Sequence, residues 1–409
     1  MSRLPKSVYR RRRLAFFGTT AAIFTLVGGG TIIGLAPLPP AIVTTTSTTD
    51  LTSQPAQLDI PPFGTTVIEA DGFGILASSN IDTPAPIASM AKLVTALVVL
   101  DAHPIEAGTS GPNIAFDSSD MEVLARSIEN DESRADVVEG MTLSEREVIT
   151  VMLVKSANNY SFSLARWAFG SEKAYVEAAN AWLRENGFGS TVVTDASGLS
   201  PETRSTPRDL LGIGALALDN EVTSTAVATV STSIDPIGLI ENSNKLLGTL
   251  GVNGIKTGTT DEAGACLLFS TVLPVGDLEV RIIGVTLGAP THPELDEALA
   301  RLLVSVQAGF HQVTPTSSGQ VLATATSTWG ESTNLIASDT ISRLVWSDTP
   351  VRVRNTGTVP ATGSAGSLAG EAVVTIGSDT TRVPLTRESE ISDPGFAWRV
   401  SHIDALFGH

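Results

Sequence analysis

Apolar positions fall into two kinds of run along this chain. From Ser89 to Leu100 (SMAKLVTALVVL) nearly every position is apolar, interrupted by Lys92 and Thr95, and the stretch reads as a mostly apolar helix. Thr142-Leu143-Ser144-Glu145 has the form of a capping box, opening a helix through Val148, Ile149, Val151, Met152 and Val154 that ends near Lys155. A further helical stretch begins about Tyr160, so Ser156 to Asn159 are predicted to form a tight turn between two helices. Glu172 to Glu185, before Gly187, and Glu294 to Val304 read as helices too. The other kind of run is β-rich: Ala265 to Leu273 and Leu278 to Leu287, joined by Pro274-Val275-Gly276-Asp277, carry a hairpin signal. Helices in the middle and strands toward the ends predict an α+β fold, one antiparallel sheet flanked by helices with a helical subdomain.

From about Thr314 the texture changes. Residues 315–409 are rich in Thr, Ser, Val and Gly, with short alternating runs such as Val351 to Arg354 and Glu371 to Ile376, predicting a small β-sandwich-like domain without a chemical motif. Within it, Gly357 to Gly370 reads as a mobile loop, and Trp398 to His409 makes a poor amphipathic helix. At the other end, residues 1–13 carry Arg3, Lys6 and Arg10 to Arg13 and no acid, and 14–36 follow with 23 residues free of charge. That length suits a bilayer and the basic flank predicts a cytoplasmic start, so 14–36 is expected to be an uncleaved signal anchor, with a cleaved export signal as the alternative. Residues 37–62, rich in Pro, Thr and Ser, are expected to be a flexible tether, leaving 63–312 for a catalytic domain on the exported side of the cell membrane.

Charge narrows the partners. The net charge is −17, and beyond residue 13 the chain holds 20 Lys+Arg against 43 Asp+Glu, so nucleic acid is not expected as a partner. The acidic run from Glu129 to Asp136 (ENDESRAD) reads as a solvated loop, with lining of a cleft as the lesser alternative. Cys266, the single cysteine, excludes an internal disulfide and reads as a core residue. The five histidines are scattered without zinc spacing, there is no G-x-S-x-G elbow, and neither a metal nor a cofactor is expected.

Three motifs supply chemistry: Ser89-Met90-Ala91-Lys92, Ser156-Ala157-Asn158 and Lys256-Thr257-Gly258, followed by Thr259. A serine needs a base within hydrogen-bond reach to attack a carbonyl. Positions i and i+3 share a helix face, so Lys92 can present an amine beside the Ser89 hydroxyl. Burial and a second cation such as Lys256 would keep that amine neutral. Ser156 and Asn158, held in the turn, suit proton relay and substrate positioning. At a strand start, Lys256 attracts a carboxylate, Thr257 hydrogen-bonds it and Gly258 admits backbone.

At these residues the chain resembles the low-molecular-mass penicillin-binding proteins, the D-alanyl-D-alanine carboxypeptidases. The likeness covers roughly residues 60 to 312 and includes Asp195 to Leu199 (DASGL), Ser205 to Leu210, Asn242 to Leu247 and Gly254 to Gly264. It implies a penicillin-binding-protein/β-lactamase-like fold with a C-terminal β domain. It also implies Ser89 as acylated nucleophile, Lys92 as base, Ser156 as relay, Asn158 as a substrate-positioning residue, Lys256 and Thr257 as carboxylate binders, and the N–H groups of Ser89 and Thr259 as oxyanion hole. The implied substrate is the peptidoglycan stem peptide ending in D-Ala-D-Ala, with β-lactams as covalent inhibitors. Some members carry an arginine just after the strand following K-T-G; here that place reads Gly288-Ala289-Pro290, and Arg281 lies earlier. A DD-endopeptidase or a β-lactamase would use the same residues, and a cell-wall scaffolding protein of this fold is the non-enzyme alternative.

Overall fold

The computed structural model describes residues 6–45, 50–51 and 54–407. Residues 1–5 of the basic segment, 46–49 and 52–53 of the expected tether, and the last two residues lie outside that description. Two compact units emerge: Pro55–His311, and a second built from Met1–Gln54 together with Gln312–His409.

In the first unit the predicted hairpin forms, as Gly264–Val275 and Leu278–Ala289. It sits inside a five-stranded antiparallel sheet ordered Val252–Thr260, Gly264–Val275, Leu278–Ala289, Thr65–Ala70, Gly74–Ser78. Both faces of its centre are buried, which is why Ala265 to Leu273 reads as a continuous apolar run rather than an alternating one. Cys266 and Leu268 belong to the main core, while Leu267 and Phe269 are equally covered outside it. The helices Pro207–Asp219 and His292–Gly309 both contact these strands. The second of these is longer than the predicted closing helix, because Thr291 caps it by accepting from Glu294 N and Pro293 suits its first turn.

The helical subdomain gathers around Ala91–Ala102, whose residues from Ala91 to Leu100 are all buried, Lys92 and Thr95 included. Packed on it are Glu145–Val154, Asn158–Phe169 and Glu172–Glu185. The capping box differs from the predicted frame. Ser144 is the cap and Glu147 its reciprocal partner, because Thr142–Ser144 pairs as a strand with Asn113–Ala115. Two overlapping S/T-x-x-E frames were available, and the strand pairing selects the second.

The second unit is a seven-stranded sheet ordered Ile42–Thr45, Val321–Thr326, Ser332–Ala337, Asp379–Arg387, Leu368–Ile376, Val351–Thr356, Asp50–Leu51. Leu322, Leu335, Val353, Val374, Val383 and Leu385 form its core. Two strands therefore come from the stretch expected to be a tether. Ile42 to Thr45 pair with Thr326 to Ala323, and Leu51 pairs with Val351. The loop between Gly357 and Gly370 is tied down by Arg387, whose guanidinium donates to Pro360 O, Ser367 Oγ and Leu368 O. The chain ends in two short helices, Gly395–Ser401 and Ile403–Phe407.

The N-terminal stretch is one helix, Lys6–Gly34. Among the described residues no helix is long and apolar enough to cross a membrane. The uncharged run 14–36 is diluted by Gly18, Gly28, Thr19, Thr20 and Thr31, and these threonine hydroxyls bond back to carbonyls four residues earlier.

Candidate active site

The three motifs converge at one place. Ser89 lies in the short 3-10 turn Ala88–Met90 that opens the buried helix, and the turn brings the Lys92 ammonium nitrogen to 2.8 Å from the Ser89 hydroxyl. The same Nζ reaches Asn158 Oδ1 at 2.7 Å and the Ser197 carbonyl at 3.1 Å. Burial drives the Lys92 pKa well below the lysine range, and the nearby Lys256 charge lowers it further against the opposing pull of Asp195 and Glu132. A lysine amine whose charged form is disfavoured by burial, beside a half-buried serine hydroxyl, is an arrangement suited to proton removal.

Lys256 is also buried, with its pKa lowered to about 7 by that burial. Its Nζ donates to Ser156 Oγ at 2.9 Å, so the second and third motifs meet through that bond. Ser156 stands in the turn after Glu145–Val154 with φ of +58°, a left-handed conformation uncommon for serine. The following helix begins at Asn158, two residues earlier than predicted, so Asn158 is its first residue. Thr257 is held by Ser243, oxygen to oxygen at 2.6 Å. Gly258 lies against the nucleophile's own turn: a Cβ there would stand 3.0 Å from Ile87 O and 3.2 Å from Ser89 N. That closeness packs the strand backbone against the turn that carries Ser89. All eight residues singled out from the sequence, Thr259 included, thus lie on the three elements that meet here.

Four further residues support the site; the sequence pointed to the DASGL segment only through the likeness and to the acidic run as cleft lining only as the lesser alternative, and it gave none of the four a stated role. Asp195 is the hub of the DASGL loop. Burial pushes its pKa up, but hydrogen bonds from Ser197, Ser200 and Gly198 outweigh that and hold it below the usual range. Its Oδ1 accepts from Ser197 N at 2.7 Å and Gly198 N at 2.6 Å, which aims the Ser197 carbonyl at Lys92. Gly198 has φ of +83°, and a Cβ there would fall 1.9 Å from Ala88 O, so only glycine lets this loop close on the nucleophile turn. Glu132 accepts from Asn158 Nδ2 at 3.2 Å, so the acidic run is no freely solvated loop; it braces the second motif. Asn158 N also donates to Ser133 O at 2.8 Å.

The fourth is His292. Its Nε2 lies 2.6 Å from Thr259 Oγ1, close to where the family resemblance places an arginine. Arg281 is elsewhere, opposite Val272 on the hairpin and 4.0 Å from Asp71. Cys266 is buried, donates to Ala263 O and has its thiol pushed up to about 11 by burial, the state of a packed and unreactive thiol. Among the described residues no group of His, Cys, Asp and Glu is arranged to hold a metal ion.

Comparison with known proteins places this geometry. A protein of Pseudomonas aeruginosa named D-alanyl-D-alanine endopeptidase is 31% identical over 227 residues, covering 54% of this chain and 70% of that protein. The D-alanyl-D-alanine carboxypeptidase DacA of Escherichia coli is 26% identical over 271 residues, 65% of this chain and 66% of its own. The crystal structure of penicillin binding protein 5 from Haemophilus influenzae superposes with a TM-score of 0.57 at 23% identity, covering 83% of this chain and all of the other, and shares the fold. The family model described as D-alanyl-D-alanine carboxypeptidase, peptidase S11, matches residues 51–291, more than half of the chain. The chain belongs to this D-alanyl-D-alanine carboxypeptidase family and is a serine-type hydrolase of that class.

Proposed function

We propose that Ser89 attacks the carbonyl between the last two D-alanines of a peptidoglycan stem peptide. Lys92, as the neutral amine, takes the Ser89 proton as the Oγ–carbon bond forms. The oxyanion is met by the N–H groups of Ser89 and Thr259, and the C–N bond then breaks. Lys92 gives that proton up to the departing amine by way of Ser156, which is bonded to Lys256, so D-alanine leaves and Lys92 is neutral again. Water, deprotonated by Lys92, hydrolyses the ester and returns the proton to Ser89. Asn158 orients the peptide amide, while Lys256 and Thr257, on the close-packed Gly258 strand, hold the terminal carboxylate. The observation that carries this reading is the Lys92 Nζ contact of 2.8 Å with Ser89 Oγ inside a fully buried lysine site.

The test is release of free D-alanine from a pentapeptide stem, together with penicillin labelling that maps to Ser89 and disappears in Ser89→Ala. A label on another serine would sink the assignment. A second reading, cleavage of cross-links, is favoured by the names of the Pseudomonas aeruginosa relative and of an Escherichia coli one that is 27% identical over 244 residues, both called D-alanyl-D-alanine endopeptidase. Penicillin and other β-lactams would acylate the same serine.

We also infer that the catalytic unit works on the exported side of the cell membrane, attached through the N-terminal helix. The basic residues 10–13, the uncharged run 14–36 and a substrate found outside the cytoplasm support this. Fractionation of cells with N-terminal sequencing tests it. An intact start in the membrane fraction is expected, and a mature start between residues 30 and 60 would refute the anchor while keeping export.

A further inference from the structure

The acidic run from Glu129 to Asp136 is laced onto the start of the helix that carries Asn158. Asn158 N donates to Ser133 O at 2.8 Å. The Asn159 side chain exchanges two bonds with the Ala135 backbone, and Tyr160 Oη donates to Asp136 O at 2.9 Å. Three consecutive helix residues thus set the course of the run. At its head, Glu132 N donates to Ser127 O. The Glu132 carboxylate accepts from Ser127 Oγ at 3.1 Å and from Asn130 Nδ2 at 3.2 Å. Held in this way, its Oε2 meets Asn158 Nδ2 at 3.2 Å. Glu132 is therefore a placed group, separated from Lys92 by the one amide of Asn158.

That amide stands between groups with different demands. Its Oδ1 accepts from Lys92 Nζ at 2.7 Å, and its Nδ2 donates to the carboxylate. A carboxylate only accepts, so a reversed amide would set oxygen against oxygen at Glu132. One N–H of Nδ2 is held by Glu132, and the other is the donor left for substrate. We propose that Glu132 is a positioning residue of the acylation step: it locks the Asn158 amide so that the free N–H faces the amide carbonyl of the incoming acyl donor. Without the lock the amide turns over, and Oδ1 meets that carbonyl, acceptor against acceptor. The same carboxylate acts on Lys92 through charge. Lys256, on the strand Val252–Thr260, disfavours the charged form of Lys92, while Asp195 in the DASGL loop and Glu132 favour it. Loss of the Glu132 charge therefore frees the neutral amine at lower pH. The proposal deepens the carboxypeptidase reading and rests on its assignment of Asn158 to the peptide amide.

The test follows acylation of the full-length protein against pH with two penams. Benzylpenicillin carries an amide carbonyl in its side chain; 6-aminopenicillanic acid has none. At the alkaline plateau Glu132→Ala should slow acylation by benzylpenicillin on the order of tenfold, and by 6-aminopenicillanic acid no more than about threefold. The second rate also shows that the variant folds. Glu132→Gln offers an acceptor oxygen without the charge. It should return to within about threefold of wild type on benzylpenicillin, with the acid limb of its profile moved down by up to about one pH unit. An equal fall on both penams in Glu132→Ala, an unchanged rate with benzylpenicillin, or a Glu132→Gln as slow as Glu132→Ala would each overturn the proposal. So would normal acylation followed by an acyl-enzyme that fails to hydrolyse, which would put the carboxylate to work on water instead. If Glu132→Ala fails to fold, Glu132→Gln decides alone: a slowed plateau or an unmoved acid limb overturns the role. Wild-type protein that is acylated at Ser89 yet releases no D-alanine from a pentapeptide would refute the carboxypeptidase reading alone, and the Glu132 result, read on penams, would stand.

Discussion

Glu145 offers a perturbation whose size follows from its surroundings. It is the first residue of the helix that leads to Ser156, it is fully buried, and neither carboxylate oxygen has a hydrogen-bond partner among the described residues. Burial raises its pKa from 4.5 to about 7. A carboxyl whose folded pKa is raised holds its proton in the native state while the unfolded chain has lost it. Stability is therefore full below about pH 4.5, falls as pH rises through about 7, and stays low above. Each pKa unit corresponds to about 1.4 kcal/mol, so the rise from 4.5 to about 7 amounts to about 3.5 kcal/mol. The positive end of the helix favours the charged form by roughly 0.3–1 kcal/mol, leaving about 3 kcal/mol as the benefit of removing the charge at alkaline pH. Glu145→Gln copies the protonated acid in shape and should match wild type near pH 4. Near pH 8 it should melt about 6–12 °C higher, at roughly 2–4 °C per kcal/mol for a unit of this size. Thermal unfolding followed by circular dichroism at both pH values reads this directly. A variant equally stable at the two pH values relative to wild type, or destabilised at both, would refute the reasoning.

Other expectations concern the site itself. Lys92→Met keeps the apolar stem and removes the amine; acylation by penicillin, measured by stopped-flow, should slow by about 10² or more. Near-normal acylation would assign the proton to another group. Because the Lys256 charge is lost as pH rises through about 7 in the free enzyme, KM for a pentapeptide should climb from about pH 6 to 8, whereas KM for its C-terminal amide should not. His292→Ala removes the partner of Thr259 and should cost about 2–10-fold in kcat/KM for pentapeptide, in line with roughly 0.5–1.5 kcal/mol for one neutral hydrogen bond. His292→Gln should recover part of it, and full activity in His292→Ala would deny the contact a role.

The reacting groups were legible in the sequence because chemistry restricts them to particular residue types at particular spacings. Ser89 and Lys92 sit one helical turn apart, and Lys256 to Thr259 sit on a strand whose hairpin partner is plain from its apolar run. The groups that orient them were not. Glu132, Ser243 and His292 act through contacts with residues 14 to 33 positions away that no local pattern encodes, while Asp195 binds its own loop and touches the site only through the Ser197 carbonyl. Glu132 looked like solvent-facing charge because its neighbours are charged; its bond to Asn158 decides otherwise. The frame of the capping box was ambiguous for a similar reason, since the choice between Thr142 and Ser144 depends on a strand partner at Asn113–Ala115. Ile42–Thr45 was hidden by its setting, four residues amid prolines and threonines whose pairing partner follows the whole catalytic unit.

That last pairing bears on where the chain can be cut. Removal of an export signal ahead of Ala41 leaves the β domain's two outer strands in place. A fragment begun at Pro55, a natural choice for soluble expression, loses them both. Val321–Thr326 would then present a bare row of N–H and C=O groups where Ile42–Thr45 had paired, and Val351–Thr356 at the opposite rim would lose the short cover that Asp50–Leu51 gives Val351 and Arg352; a bare edge of this kind recruits another copy. Self-association of such a fragment would report a missing strand rather than a native oligomer, and restoring residues from Ala41 onward should return it to a monodisperse species by light scattering.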